Sequence, residues 1–482
     1  MLTPSTTDLF AVAPEIILAV AAGLILIVEA FMPPLRRYLS EFTLVAVGGA
    51  AWARLSLPLP GSVWSDTLHI DGLASFVDIY ILAAVFWTVW MAGPFLRRVK
   101  ADHGEFYSLL LLAAVGAMVM AASVNLLTIF LGLELLSIPL YVLNAFLRRT
   151  GISLEAGLKY FVVGAFASAV LVYGMALLYG ASASMNLAAV AGRVLADGGL
   201  NPLTAVGVAM VVGGLAFKLA LVPCHGWAPD VYQGSPTPVT AFLSVVPKGA
   251  ALIVLLRLAD GMNLLSLSPK WVMALSILAV ASQVLGNTVA IVQRDVKRML
   301  AYSGIAHMGY ALVAVLVAGA DGGAAVLVYI AAYTLMNMGA FAAIAMMSER
   351  EDRPHLIDDL KGQGYNRPMA ALTLTVCLFS LAGLPPFIGF TAKFMVFRAA
   401  VNHGFVWLAV IGVANSLLSA FYYLRVIYAL YMESLPEREP KLEPSLPIAA
   451  AATLAALGVL VYGAYPGPIL DAAASAILDL VR

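Results

Sequence analysis

The fold of this chain follows from one stretch, residues 205–258, which reads AVGVAMVVGGLAFKLALVPCHGWAPDVYQGSPTPVTAFLSVVPKGAALIVLLRL. It contains two apolar segments, and each carries a lysine near its middle, Lys218 and Lys248. The first segment is interrupted at Pro223, with His225 just beyond, and in the second a proline directly precedes the lysine. An ammonium group at the centre of a membrane helix costs about 2.5–3.5 kcal/mol to insert. Two such lysines therefore predict a functional role.

The composition is that of a polytopic membrane protein. Of the 482 residues, 62% are hydrophobic and only 11% are charged, whereas about a quarter are charged in soluble domains. Long apolar runs between short polar loops favour helices over barrel strands. The net charge of zero gives no sign of nucleic-acid binding, and Cys224 and Cys377 predict neither a disulfide framework nor a metal site. The N-terminus lacks a basic region, so we expect the first apolar run to be a retained helix.

Hydropathy predicts fourteen membrane-spanning helices. Their expected ranges are 12–31, 40–57, 73–95, 106–123, 125–147, 158–180, 203–222, 239–258, 271–292, 299–318, 324–347, 370–392, 405–430 and 446–465. When the loops are numbered in order, the odd loops carry 16 lysines and arginines, whereas the even loops and the C-terminus carry 6. The positive-inside rule therefore places the odd loops in the cytoplasm and both termini on the opposite side.

A weak internal repeat is visible in spans seven and twelve. The sequence LVPCHG at 221–226 resembles LPPFIG at 384–389, and in both a proline interrupts an apolar run, which breaks or kinks a helix. If spans four to eight and nine to thirteen form two units, each break falls in the fourth helix, and the two units have opposite orientations. Inverted repeats with broken helices are typical of transporters. We predict an all-α membrane protein with N-terminal helices at 1–105, five-helix repeats at 106–258 and 271–432, and a C-terminal helix within 446–482.

Four charged residues lie deep within the predicted spans, namely Glu134, Lys218, Lys248 and Lys393. Unpaired, they would cost on the order of 10 kcal/mol to insert. One ion pair could serve only to hold two helices together, but the charges of three lysines and one glutamate do not balance. Removal from water favours the neutral form of an amine, and a nearby carboxylate favours the charged form. A carboxylate that moves can therefore switch a lysine, and the pattern predicts a proton relay.

Other polar residues are candidates for supporting roles. Glu155 and Lys159 form an i, i+4 pair at the start of span six, a spacing that serves either a relay or only the helix. His225, at the helix break, can shuttle protons or satisfy freed backbone groups. His307 lies within span ten, with polar residues nearby on the same helix, and a relay role is favoured there.

Several cofactor motifs are missing from the sequence. It contains no glycine-rich phosphate loop with a Walker lysine, no dinucleotide fingerprint after a strand and no cysteine cluster suited to iron–sulfur ligation. The intramembrane histidines have no convincing spacing for haem. We therefore expect this chain to hold no cofactor or metal, and we expect the energy for any pumping to come from a partner.

Four segments resemble the antiporter-like membrane subunits of respiratory complex I, the bacterial NADH–quinone oxidoreductase. They are LGLELLSIPLYVL around Glu134, FKLALVPCHGWAPDVYQGSPTPVTAFLSVVPKGAAL around Lys218 and Lys248, QRDVKRMLAYSGIAHMGY around His307, and AGLPPFIGFTAKF around Lys393. The resemblance covers spans one to fourteen. Lys393 stands where subunit M of that family has a glutamate, and the chain ends soon after span fourteen, where subunit L continues. These two features separate the chain from those siblings.

The resemblance implies a hydrated proton channel along the membrane midplane. In that channel Glu134 would pair with Lys218 and tune it, Lys248 would connect two half-channels through His307, and Lys393 would lie on the outlet side. The supporting positions that also match the family are Glu155, Lys159 and His225. The resemblance further implies that FMN, the iron–sulfur clusters and quinone belong to other subunits. It also implies subunits M and K as neighbours and a bacterial inner (plasma) membrane, with both termini periplasmic.

Three other interpretations remain open from the sequence. The chain could be a subunit of a multi-subunit Na⁺/H⁺ antiporter, which shares this helical core, or of a membrane-bound hydrogenase. It could also be a scaffold that links membrane subunits without pumping. The scaffold hypothesis predicts that neutralising Lys218 affects little beyond assembly, and the antiporter hypothesis predicts sodium exchange without a redox reaction.

Overall fold

The computed structural model describes residues 5–196, 201–262, 269–348, 356–435 and 445–481. Within these ranges, fourteen helices, two of them divided, match the predicted spans and are numbered α1 to α14. They are α1 (Ala13–Phe31), α2 (Leu39–Ser56), α3 (Gly72–Arg98), α4 (Gly104–Ala122), α5 (Leu126–Asn144), α6 (Gly151–Ser182), α7a (Pro202–Leu219), α7b (Trp227–Gly234), α8 (Thr237–Gly261), α9 (Pro269–Val292), α10 (Val296–Val317), α11 (Gly319–Met346), α12a (Pro368–Ala382), α12b (Ile388–Asn402), α13 (Val406–Met432) and α14 (Leu446–Ala464).

The remaining elements are short. Four further α-helices and two 3₁₀ turns connect or flank the long helices: Thr6–Ala11, Leu187–Ala196, Gln363–Asn366, Gly467–Val481, Pro33–Tyr38 and Ile357–Leu360. A small antiparallel hairpin of β1 (Gly61–Val63) and β2 (Leu68–Ile70) lies between α2 and α3. Twelve helices of the described ranges are long and apolar enough to cross a membrane. The prediction of an all-α membrane protein with about fourteen spans, broken at seven and twelve, is confirmed.

Two details of the prediction are wrong. The expected range 370–392 for span twelve is too short, because α12b continues to Asn402. The apolar pattern weakens after Lys393, where Arg398 occurs, so hydropathy ended the span early. Three of the six basic residues assigned to the even loops and the C-terminus, Arg54, Arg257 and Arg398, lie within long helices.

Helix α8 lies at the centre of the bundle. Every residue of its most apolar 18-residue window is buried, and α10 and α11 are 89% buried by the same measure. By contrast, only 28% of the window in α6 is buried, so this helix lies at the periphery. A lysine in α8 is therefore surrounded by protein rather than lipid, which makes hydrogen-bonding partners or water accessible to it.

The two predicted repeats begin with similar helix crossings. A Cβ atom on Gly116 of α4 would lie 2.3 Å from the backbone nitrogen of Leu136 in α5, and one on Gly286 of α9 would lie 2.7 Å from that of Ala306 in α10. Only glycine allows helix backbones to approach so closely. The repeat boundaries themselves remain predictions.

Buried charges join the N-terminal helices. The guanidinium group of Arg54 in α2 lies 2.7 Å from Asp78 Oδ2 in α3 and 3.0 Å from Glu15 Oε1 in α1. All three side chains are buried. The guanidinium group of Arg54 contacts carboxyl groups from two other helices, so this cluster fixes α1, α2 and α3 to one another.

Candidate functional site

Lys218 lies at the end of the first half of the broken helix α7. It is the second-to-last residue of α7a, and the backbone then turns at Ala220, whose φ of +55° is left-handed. Its side chain is only 3% exposed. Nζ donates to Tyr160 Oη at 3.2 Å and lies 5.1 Å from the centre of the same ring and 5.8 Å from that of Tyr141. Two tyrosine faces therefore accommodate the positive charge.

Glu134 lies near Lys218 but does not contact it directly. Its Oε1 accepts a hydrogen bond of 2.5 Å from Ser168 Oγ on α6. Among the described residues, no ion pair within 4.0 Å joins this carboxylate to a lysine, although it is within electrostatic reach of Lys218. The pairing implied by the resemblance is not a direct contact in this structure, and the rings of Tyr141 and Tyr160 lie next to Lys218.

Lys248 occupies the middle of the central helix α8 and is fully buried. In the described part of the chain its Nζ has no hydrogen-bond partner. It lies 5.2 Å from the centre of the Tyr232 ring. A Cβ atom on Gly304 of α10 would lie 2.6 Å from Nζ and 2.8 Å from Tyr333 Oη. Glycine at position 304 thus makes room for the ammonium group.

His307 connects the surroundings of Lys248 with those of Lys393. It is 1% exposed, and its Nδ1 lies 2.7 Å from Tyr329 Oη while its Nε2 lies 3.3 Å from Tyr423 Oη. Its ring centre is 5.2 Å from that of Tyr333, and both lysines are within electrostatic reach. An imidazole with hydroxyl groups on both nitrogens can accept a proton on one side and release it on the other.

Lys393 lies in α12b and reaches back to the end of α12a. Its Nζ donates to the carbonyl oxygens of Leu381 and Ala382, at 2.9 and 3.0 Å, and to Ser416 Oγ at 2.8 Å. These three acceptors match the three donors of an ammonium group. The carbonyls belong to the C-terminal end of α12a, which carries a partial negative charge. The break at Gly383, with a φ of +87°, leaves these carbonyls available.

The supporting charges lie together at one end of the bundle. Lys159 Nζ is 2.6 Å from Glu155 Oε1 and 2.8 Å from Asp230 Oδ2 on α7b. Asp230 also lies 2.5 Å from Arg298 on α10, so it links both predicted repeats. The charges are partly exposed, which keeps the strength of each pair modest. His225 lies in the break between α7a and α7b, and its buried Nδ1 has no partner within the described ranges.

Sequence reasoning missed Asp230 and the tyrosines. Asp230 is one charge in a polar segment, and nothing in the sequence shows that it meets two cations. The tyrosines of the described ranges that lie next to the lysines and His307 are Tyr141, Tyr160, Tyr232, Tyr310, Tyr329, Tyr333 and Tyr423. A buried aromatic residue is usually core packing, so only their convergence identifies them.

A buried ion pair lies on the side of the even loops. Asp71, the N-cap of α3, receives two hydrogen bonds from Arg257 at 2.9 and 3.1 Å, and Arg257 also donates to the Ala121 carbonyl. Burial disfavours the charged carboxylate, but attraction to Arg257 and hydrogen bonds from His69, Arg257 and Ala74 outweigh it and lower the pKa of Asp71 to about 2. This pair fixes α3 to α8 away from the lysines.

One group in the described ranges has a geometry compatible with metal ligation. Ligand atoms of Glu29, His103 and Glu105 lie within 4.8 Å of one another at the odd-loop ends of α1 and α4. Two of the three residues are exposed, and Arg36 Nε lies 3.5 Å from Glu29. A guanidinium group this close competes with a metal ion for the carboxylate, and the group is separate from the lysines.

Comparisons with known proteins identify the family to which this chain belongs. The family model described as NADH:quinone oxidoreductase/Mrp antiporter, TM, matches residues 123–419. NADH-quinone oxidoreductase subunit N of Trichlorobacter lovleyi is 42% identical over 98% of this chain and 97% of its own length. Subunit N of Coxiella burnetii is 39% identical over 94% of this chain and 95% of its own length.

Solved structures show the same fold. A chain of respiratory complex I from Thermus thermophilus is 35% identical, with a TM-score of 0.82, over 96% of this chain and all of that one. A chain of the Mrp complex from Dietzia matches with a TM-score of 0.82 at 21% identity, over 99% of this chain and 98% of that one, which shows a shared fold alone. With a full-length relative at 42% identity and a matching family model, this chain belongs to the subunit N family of NADH–quinone oxidoreductases, the antiporter-like membrane subunits of respiratory complex I.

Proposed function

We propose that this chain moves protons across the membrane through Glu134, Lys218, Lys248, His307 and Lys393, driven by quinone reduction elsewhere in the complex. One observation carries the proposal: the three lysines are 3%, 0% and 4% exposed, yet no carboxylate of the described residues forms a direct ion pair with any of them. Static charges at this depth need partners. Amines without a fixed counter-ion are suited to gaining and losing protons.

The region around Lys248 supports a hydrated path. Its Nζ and the hydroxyl groups of Tyr232 and Tyr333 are buried and have no hydrogen-bond partner within the described part of the chain. Nζ lies over the Tyr232 ring, and Nζ and Tyr333 Oη both lie within 2.8 Å of the position that a Cβ on Gly304 would take. Buried polar groups are almost always satisfied by protein or ordered water. Water between these three groups would carry protons onward to His307.

The two lysines on either side of His307 are held differently. Lys393 has three acceptors and suits the ammonium form, whereas Lys248 has none among the described residues. A proton is therefore held stably at Lys393 and only transiently at Lys248. We propose that transfer through His307 ends at Lys393, and that release requires a change in the hydrogen bonds at the end of α12a.

The energy source and the partners are part of the same proposal. FMN, the iron–sulfur clusters and quinone would be bound by other subunits, and subunits M and K would be the neighbours in the membrane. The relatives are named as subunits of NADH-quinone oxidoreductase, which supports this division. The bacterial relatives support an inner membrane location, and the basic residues of the odd loops support periplasmic termini.

The test is NADH-driven proton uptake by inverted membrane vesicles that contain the assembled complex with Lys218→Ala. We expect quinone turnover and proton uptake to fall together, because the relay loses its first amine. Lys100→Ala is a matched control, since Lys100 is exposed in the loop between α3 and α4, and it should behave as wild type. If turnover and uptake both persist in K218A while the cells become sensitive to sodium, the chain acts as an antiporter subunit and the proposal is wrong.

A further inference from the structure

Helix α3 contacts the central helix α8 directly beside its lysine. Tyr80 Oη donates to the carbonyl oxygen of Val246 at 3.2 Å. A Cβ atom on Gly249 would lie 1.9 Å from Tyr80 Oη and 2.6 Å from Cζ. Tyr80 is 6% exposed, so the surrounding protein encloses almost all of its side chain. The tyrosine therefore occupies a notch in α8 that exists only because residue 249 is glycine.

The two contacts flank Lys248 in sequence. Val246 lies two residues before it and Gly249 directly after it, with Pro247 in between. Proline has no amide hydrogen, so α8 lacks one internal hydrogen bond at this turn. The carbonyl that loses its helical partner is that of Leu243, four residues earlier, and Tyr80 adds a hydrogen bond at the Val246 carbonyl within the same turn. A residue from the N-terminal helices therefore contacts the turn that carries the lysine.

Lys248 depends on its backbone for its position. It has no hydrogen-bond partner among the described residues, in contrast to Lys393, which has three. We propose that Tyr80 is a positioning residue for Lys248, and that its hydroxyl group and ring set where the amine lies within the relay. This inference rests on the relay of the proposed function. A misplacement of about 1 Å can lower a rate by about a hundredfold, so such a residue affects turnover without touching the proton.

Several polar groups lie close enough to Lys248 that a displacement of its amine would change their interaction with it. Tyr232 of α7b and Tyr333 of α11 face Lys248, and His307 of α10 is within its electrostatic reach. On α3 itself, Asp78 lies two residues before Tyr80 and is paired with Arg54. A shift of the amine relative to these groups changes how readily it exchanges protons. The pH dependence of turnover therefore reports its position.

The experiment compares Tyr80→Phe with Tyr107→Phe in the fully assembled complex. Both remove one hydroxyl group from a buried tyrosine, since Tyr107 is 1% exposed and donates to Asp102 at 2.8 Å near the odd-loop end of α4. We expect Y80F to lower NADH–quinone turnover about fivefold, the factor for one ordinary hydrogen bond, and to displace its pH optimum. Y107F should change neither. Equal turnover and equal pH profiles for the two variants would overturn the inference.

A second pair of variants tests the fit between the tyrosine and the glycine. Gly249→Ala alone should lower turnover at least as much as Y80F, because its Cβ must displace the tyrosine or the helix. In a Tyr80→Ala background the nearest remaining contact of that Cβ is Ile330 Cγ2 at 3.2 Å, a side-chain methyl that needs to move only slightly, so adding G249A should cause little further loss. If the two changes instead multiply independently, the contact does not position the lysine.

Lys248→Ala separates failure of this inference from failure of the proposed function. If K248A abolishes turnover while Y80F matches Y107F throughout, the relay stands and Tyr80 has only a structural role. If K248A retains wild-type turnover and proton uptake, the proposed function is wrong, and the positioning role of Tyr80 fails with it.

Discussion

Gly304→Ala adds one methyl carbon next to Lys248, the lysine of the central helix α8. The added Cβ would lie 2.6 Å from Lys248 Nζ and 2.8 Å from Tyr333 Oη. Ordinary contacts of this kind are about 3.5–4.0 Å, so each group must retreat by about 1 Å. Both are the far ends of side chains that can rotate. The helix itself gains up to about 1 kcal/mol when alanine replaces glycine, which offsets the local crowding, so stability should hardly change.

The effect on turnover should be large in comparison. A displacement of about 1 Å within a proton relay can cost up to about a hundredfold in rate. We expect G304A to assemble normally and to lower NADH-driven quinone reduction and proton uptake together by at least about tenfold. Both are measured in inverted vesicles and normalised to the amount of assembled complex.

Gly23→Ala in α1 is the matched control. It makes the same chemical change within a membrane helix, but nothing lies within 4 Å of its added Cβ. It should therefore keep wild-type turnover. If G304A assembles and turns over like G23A, Lys248 tolerates a shift of its surroundings, and the argument for a positioned amine is refuted. Loss of assembly in G304A alone would show that the glycine serves packing.

Three further changes follow from the same contacts. Asp71→Asn should destabilise the detergent-solubilised complex by about 3–5 kcal/mol at pH 7, because Arg257 loses its buried partner. The pKa of Asp71 is lowered from 3.8 to about 2 in the folded chain, so the stability it contributes is complete above about pH 4 and is lost as the pH falls towards 2. The difference in unfolding temperature between D71N and wild type should therefore shrink between pH 4 and pH 2. A difference that stays constant over this interval would contradict the assignment. Ser416→Ala removes one of the three hydrogen-bond acceptors of Lys393 and should lower turnover several-fold, but by less than Lys393→Ala does. Equal losses of turnover in the two variants would show that the acceptors do not matter. Asp230→Asn weakens both cation pairs at the end of α7b and should lower turnover modestly, with a smaller dependence on salt than wild type.

The membrane architecture could be predicted from the sequence because its signals are local. A run of about twenty apolar residues predicts a span wherever it packs, and a proline within it interrupts the helix by its own chemistry. The breaks in α7 and α12 were therefore predictable from Pro223 and Pro385. The end of α12b was not, since Arg398 lowers the local hydropathy although the helix continues around it.

The sequence also identified the four membrane charges, because a charge within an apolar run is conspicuous without any neighbour. It did not show how each charge is held. Lys393 bonds to two carbonyls of α12a, 11 and 12 residues earlier in the chain, and Lys218 bonds to Tyr160, 58 residues away. Such partners are set by how helices pack, and the sequence pattern of one helix contains no information about the face of another.

The sequence by itself determined that this chain crosses the membrane about fourteen times and carries amines in its interior. Only the tertiary structure decided which of those amines has partners. Lys393 is fully hydrogen-bonded, whereas Lys248 faces Gly304, Tyr232 and Tyr333 without a partner in the described ranges. The physical reason is that hydropathy depends on composition over one helical span, whereas the hydrogen bonding of a buried amine depends on the approach of several helices to within about 3 Å of one atom.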